Sequence, residues 1–194
     1  MNKITGIVLS SGHTNVKGKD MGASSKDNKY VEGAMTVLDK NILNNKLKEF
    51  GVKVPVLIDR DDTALAETMS FLKGRTKEND ILIDIHYNAS DNVTAKGTEV
   101  LIPQDHNSTE LEIADKISDI IGSVLGTRER GNEGGKDGVK TEADSARKRL
   151  GWMRMTGINI LIELEFLSNP DTMKVVESKR DQLWSEIAKY LVSL

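Results

Sequence analysis

Asp80-Ile81-Leu82-Ile83-Asp84-Ile85-His86-Tyr87-Asn88 is the stretch on which the fold turns. From Asp80 to His86 it alternates with period two. Ile81, Ile83 and Ile85 face one way, while Leu82, Asp84 and His86 face the other, which is the pattern of a strand. His86 stands where the apolar run ends. Upstream, Ile4 to Leu9 is a second short apolar run, and it closes on Ser10-Ser11-Gly12-His13, a strand followed by a tight turn. Lys53 to Ile58 reads as a strand that Pro55 confines to an edge or makes irregular. Gly97 to Ile102 and Ile158 to Leu164 complete the strands.

Helical patterns lie between them. From Tyr30 to Phe50, Val31, Ala34, Leu38, Ile42 and Leu47 recur at helical spacing, and Gly51 supplies a stop. Asp61 or Asp62 is placed to cap a helix carrying Leu65, Met69 and Leu72 inward. Asn107, with Glu110 three residues on, opens a helix through Ile113, Ile117, Ile120 and Leu125. Pro170 and Asp171 open the last, whose inner side holds Val175, Val176, Leu183, Ile187 and Leu191. Gly18 to Asn28 reads as a loop. Arg128 to Arg149, rich in charge and glycine, reads as a mobile surface loop with some helix, of the kind that borders binding sites. Strands alternating with helices predict an α/β fold: one three-layer domain over residues 1–194, with a twisted, mostly parallel sheet flanked by helices.

Composition narrows the function. A chain of 194 residues can bury a core without staples, and it contains no cysteine, so a metal would be held by His, carboxylate or carbonyl groups. The net charge of -3 gives no overall attraction to nucleic acid. An aromatic content of 4% argues against stacking platforms for sugars or single strands. No run approaches the roughly 20 apolar residues of a membrane helix. Met1 to Gly12 lacks the long apolar segment of a secretory signal, so the expectation is a protein made in the cytoplasm. Oligomeric state is not legible.

Three histidines can be weighed singly. His13 and His86 each follow an apolar strand, and the crevice at the carboxyl ends of the strands is where open α/β sheets bind ligands. Two imidazoles and a carboxylate, with a fourth position for water, make a catalytic zinc arrangement. Glu32, in the first turn of the helix after the His13 loop, can supply the carboxylate; a glutamate there also serves simply to balance the helix dipole. A lone strand-end histidine is often structural. Glu163 sits in Ile160-Leu161-Ile162-Glu163-Leu164-Glu165-Phe166, where period two puts Glu163 and Glu165 on one face and Ile162, Leu164 and Phe166 on the other. Either that face is solvated, as on an edge strand, or Glu163 is a general base. His106 lies in a polar loop and reads as a surface residue.

These residues resemble a known family. Ile7-Val8-Leu9-Ser10-Ser11-Gly12-His13, then Glu32, then Arg75 and Asn79 ahead of Ile85-His86-Tyr87-Asn88-Ala89, then Gly97-Thr98-Glu99-Val100, and last Leu161 to Pro170 with Glu163, Phe166, Ser168 and Asn169, are similar to the zinc-dependent N-acetylmuramoyl-L-alanine amidases of the amidase-3 type. The likeness spans nearly the whole chain in the right order. It implies that His13, Glu32 and His86 hold one zinc ion, that Glu163 is the catalytic acid/base, and that the substrate is peptidoglycan. Two positions depart from the pattern. Glu165 replaces a small glycine and adds a second carboxylate, and Asp84 stands where a small polar residue is usual, either as a partner for an imidazole or as an exposed strand-end acid. The basic run Arg147 to Arg149 is either a solvated face or a contact for acidic wall polymer. The implied setting is that of a phage endolysin, released to the wall by a separate holin-type protein, or else of a bacterial amidase whose export signal has been removed. A zinc peptidase cutting within the stem peptide and a non-catalytic wall-binding or phage structural module are the alternatives.

Overall fold

The computed structural model describes residues 3–194; Met1 and Asn2, at the head of the expected domain and of the N-terminal reading, lie outside the described residues. In chain order the elements are β1 (Gly6–Ser10), α1 (Glu32–Glu49), β2 (Val56–Ile58), α2 (Leu65–Leu72), β3 (Asp80–Asn88), β4 (Glu99–Ile102), α3 (Ser108–Leu125), β5 (Asn132–Glu133), β6 (Lys136–Asp137), β7 (Val139–Thr141), β8 (Ile158–Phe166) and α4 (Pro170–Ser193). Six strands form one sheet in the order β2-β1-β3-β8-β4-β7, and β5 and β6 form a separate hairpin. The four strands β2, β1, β3 and β8 are mutually parallel; β4 runs against β8, and β7 runs with β4. The fold is the expected mixed α/β domain in three layers.

The alternation of β3 sorts the two faces. Ile81, Ile83 and Ile85 join Ile7, Leu9, Ile160 and Ile162 in the larger core, which is shared with the inner sides of α1, α3 and α4. Leu82 joins Val8, Leu101 and Leu161 in a smaller core against Leu72 of α2 and Trp152. Each fully buried Ile or Leu contributes roughly 1.5–3 kcal/mol by leaving water, so a one-residue slip of β3 would exchange both cores at once. Asp84 and His86 therefore lie on the Leu82 side, where the smaller core gives way to a cleft.

Several expectations need correction. On α1, Ala34 and Leu38 are exposed, and the buried stripe is Gly33, Val37, Lys40, Leu43 and Leu47. Two charges hold that orientation. Asp39 accepts hydrogen bonds from Tyr87 Oη (2.6 Å), Arg180 Nε (2.8 Å) and Trp184 Nε1 (2.8 Å), and Lys40 Nζ donates to Asp59 Oδ1 (2.5 Å) and Asp61 Oδ1 (2.8 Å). Supplied with these partners, both tolerate burial. Asp61 thus serves Lys40 rather than a helix end, and Asp62 pairs with Arg60. The residue preceding α2 is Ala64, whose N–H is met by Glu67 Oε2 at 2.9 Å. Arg128 to Arg149 is not one loop, since it contains the β5–β6 hairpin and the edge strand β7, with Val139 buried. Asn107 and Asn169 cap α3 and α4, each accepting two backbone N–H bonds.

Candidate metal centre and cleft

β1, β3 and α1 converge at the carboxyl end of the sheet. His13 follows β1, His86 sits near the end of β3, and Glu32 opens α1, so three elements deliver three side chains to one point. A ligand atom from each lies within 4.8 Å of the others. Glu32 Oε1 is 3.2 Å from His86 Nδ1, and Glu32 Oε2 is 3.5 Å from His13 Nε2. The two imidazole rings meet edge to face, 5.0 Å between centroids and 82° apart in plane.

Glu32 and His86 are held from behind. Tyr87 N–H donates to Glu32 Oε1 (3.1 Å) and Ala23 N–H to Glu32 Oε2 (2.9 Å). On the far side of His86, Nε2 faces Asp84 Oδ2 at 3.0 Å, and Asp84 Oδ1 also accepts from Gly12 N–H at 2.8 Å. Asp84 is fully buried, so it partners the imidazole and is not an exposed acid. His13 Nδ1 comes within 3.2 Å of Asp20 Oδ1 but makes no hydrogen bond there. Two glycines leave the space. A Cβ on Gly12 would stand 2.2 Å from His86 Nε2, and one on Gly22 would stand 2.5 Å from Glu32 Oε2; both residues have positive φ, 45° and 70°.

Charge follows from this packing. Burial disfavours an ionised Glu32, yet the His86 and His13 rings overrule it and keep its pKa below the ordinary carboxylate value. Burial likewise opposes protonation of His86, but Asp84 and then Glu32 hold its pKa well above the usual imidazole value. Two imidazoles and a carboxylate brought together, with His13 Nδ1 left without a partner, are the donor set a catalytic zinc takes.

Glu163 stands beside this cluster. It is the register partner of His86 across β3 and β8, and of Glu99 across β8 and β4. His86, Glu163 and Glu99 thus form a row over three neighbouring strands about 4.8 Å apart. β8 is interior to the sheet, so the solvated-edge alternative does not apply. Glu163 Oε2 is shielded from solvent and has no hydrogen-bond partner, and burial pushes the pKa of this carboxyl up to about 8. The neighbouring carboxylates Glu32 and Glu99 act in the same direction, against His86.

Glu165 does not share that face. The β3–β8 register shifts between His86 and Asn88, a bulge that breaks the period of two. Beyond it Phe166 lines the cleft with Glu163, while Glu165 turns away and accepts from Gly97 N–H, Phe166 N–H and Thr127 Oγ1. Glu163, and not Glu165, belongs to the cleft. His106 is also elsewhere, its Nδ1 3.2 Å from Pro103 O. Arg75 is exposed and packs on Phe71, before β3 begins.

The cleft encloses about 610 Å³ and takes in His13, Glu32, His86 and Glu163. A model of the N-acetylmuramoyl-L-alanine amidase family, Amidase_3, matches residues 7–192. The chain belongs to this enzyme family. Among solved structures it is similar to an N-acetylmuramoyl-L-alanine amidase from Clostridium difficile 630, at 26% identity and TM-score 0.74 over 98% of this chain and 96% of that one. The catalytic domain of the CD27L endolysin targeting Clostridia difficile matches at 25% identity and TM-score 0.68 over 95% of each chain. The catalytic domain of the CwlV amidase from Bacillus (Paenibacillus) polymyxa var. colistinus shares the fold at 20% identity and TM-score 0.73, over 97% of this chain and 98% of that one. No curated protein matches the chain. Among the described residues no helix is long and apolar enough to cross a membrane.

Sequence reasoning did not single out Glu99, Arg130 and Lys140, which also line this amidase-family cleft. Glu99 Oε1 accepts from Asn88 Nδ2 (3.0 Å) and Glu99 Oε2 from Lys140 Nζ (2.5 Å), and Arg130 lies 4.7 Å over the Phe166 ring. Glu99 at the head of an apolar strand was the available signal. Nothing in the local sequence pairs it with Lys140.

Proposed function

We propose that this chain hydrolyses the amide between N-acetylmuramic acid and the L-alanine of the stem peptide, with His13, Glu32 and His86 holding a zinc ion and Glu163 as the acid/base. The observation that carries the reading is the pairing of His86 with Glu163 in adjacent strands, which sets an unpartnered carboxyl oxygen beside the three donors. Zinc, when bound, supplies Lewis acidity that polarises an amide carbonyl and eases the ionisation of water.

The protein's own part is positional. Glu32, fixed by Tyr87 and Ala23 N–H groups, and His86, backed by Asp84, present their donors without having to reorganise. Glu163 takes the proton of the attacking water and returns it to the departing alanine nitrogen. A carboxyl whose burial favours the neutral form is suited to that return. Family membership and the likeness to an endolysin catalytic domain support peptidoglycan as substrate and lysis of the wall as the setting.

The test is digestion of purified peptidoglycan by the chelated protein and by the zinc-restored protein. The expected result is zinc-dependent release of N-terminal L-alanine without new reducing sugar ends, and its loss by at least 100-fold in Glu163→Gln with zinc content unchanged. New amino groups from another stem residue would make the chain a peptidase. A Glu163→Gln protein as fast as the parent would remove Glu163 from the chemistry.

A further inference from the structure

Four basic residues line the cleft alongside Asp144 and its buried glutamates, although the chain carries a net charge of -3. Arg130, Lys140, Arg147 and Arg149 all line it. Lys140 is spent on Glu99, and Arg130 Nη1 comes only within 3.4 Å of the same Glu99 oxygen, buried and without a hydrogen bond. Arg147 and Arg149 make no side-chain hydrogen bond or ion pair among the described residues.

The segment that carries them is built, not loose. Glu142, almost fully buried, accepts from Leu150 N–H at 2.7 Å and pairs with Arg154 Nη2 at 2.5 Å, so it ties down the far end of the turn. Ser145 Oγ donates to Glu142 O (2.6 Å) and accepts from Lys148 N–H (3.1 Å). Lys148 takes φ 56°, a left-handed conformation uncommon outside glycine. The turn reverses there, and of three consecutive basic residues the cleft receives the first and third while Lys148 does not line it.

Exposed guanidinium groups that line a cleft and have no internal partner suit a carboxylate or a phosphate. The sugar side of the scissile amide offers no charge, because the muramic carboxyl is itself the acyl group of the bond. On the peptide side, the residue after L-alanine is a glutamate joined through its side-chain carboxyl. Its α-carboxyl is therefore left free, or amidated in some walls. We infer that Arg147 and Arg149, with Arg130, read the α-carboxylate of this second stem residue and make the enzyme select stem peptides in which it is not amidated. The inference rests on the amidase reading of the same cleft.

Two muropeptides of equal length, differing only in a free or an amidated α-carboxyl at the second stem residue, test it with the zinc-loaded protein. The expected kcat/KM is about tenfold higher for the free carboxylate, carried by KM with kcat little changed. In the Arg147→Ala/Arg149→Ala double variant this ratio falls to within about twofold, and lysines at both positions restore part of it. Equal kcat/KM on both substrates in the parent overturns the inference even if the double variant does not fold. So does a ratio that survives in the folded double variant. Variants that lose only the digestion of walls bearing phosphate polymer would assign the arginines to that polymer instead and also overturn it. Failure to cleave either substrate at the muramoyl bond, while whole peptidoglycan is opened there, overturns the inference alone; failure on both overturns the amidase reading as well.

Discussion

Asp84 Oδ2 lies 3.0 Å from His86 Nε2, two residues along the same strand, while the other nitrogen of the ring faces Glu32 Oε1 at 3.2 Å. A carboxylate behind an imidazole fixes its orientation and raises its basicity as a ligand. Asp84→Asn keeps an acceptor for Gly12 N–H but removes the charge. Its zinc affinity, read by competition with a chromophoric chelator, is expected to fall about 10- to 100-fold with the circular dichroism unchanged. An affinity equal to the parent's would mean that Asp84 serves the fold alone.

Gly12 is constrained twice. Its φ of 45° disfavours a side chain, and a Cβ there would come 2.2 Å from His86 Nε2. Gly12→Ala is expected to displace the imidazole and to cost about 1–3 kcal/mol of stability from the backbone conformation. Zinc content after dialysis and a urea midpoint read the two effects separately. A variant with full zinc content would show that the His86 ring can move aside at no cost to the cluster.

The network under α1 gives a prediction far from the chemistry. Asp39 is buried and receives Tyr87, Arg180 and Trp184, so removing it leaves a guanidinium and two polar hydrogens without their acceptor. Asp39→Ala is expected to destabilise the domain by roughly 3–5 kcal/mol in urea denaturation. Asp39→Asn, which keeps an acceptor, is expected to cost less. Because Tyr87 follows His86, the Ala variant is also expected to weaken zinc retention.

The same network explains what was legible in the sequence. β3 could be read residue by residue because both of its faces are packed and its period is intact. His13, Glu32 and His86 could be read because strand ends and a helix start converge on the crevice. The inner face of α1 could not, since Asp39 and Lys40 stand where apolar residues would mark it, and their partners lie in β3, α4 and the segment after β2. Glu163 and Glu165 were assigned one face by period two, and a bulge that depends on neighbouring strands parted them. β7 was missed because three residues after a glycine-rich turn carry too little pattern to show a strand. Its place at the sheet edge comes from pairing with β4.

Glu163 yields a prediction in pH whose sign can be worked out. In the metal-free protein its carboxyl is pushed up to about 8, from an ordinary 4.5 in the unfolded chain. Between those values the unfolded state has released the proton and the folded state has kept it. Folding therefore loses stability as pH rises through this window, at about 1.4 kcal/mol per pH unit for one such proton. Glu163→Gln removes that contribution and keeps a neutral side chain of the same shape. The stability difference between Glu163→Gln and parent, measured without metal by urea denaturation, is expected to grow in favour of the variant from pH 5 towards pH 8. His86 and Glu32 titrate in both proteins and feel the charge at position 163, so the comparison reads Glu163 together with its coupling to them. A difference independent of pH would mean that the folded protein leaves Glu163 ionised throughout, so that its burial raises its pKa by nothing measurable.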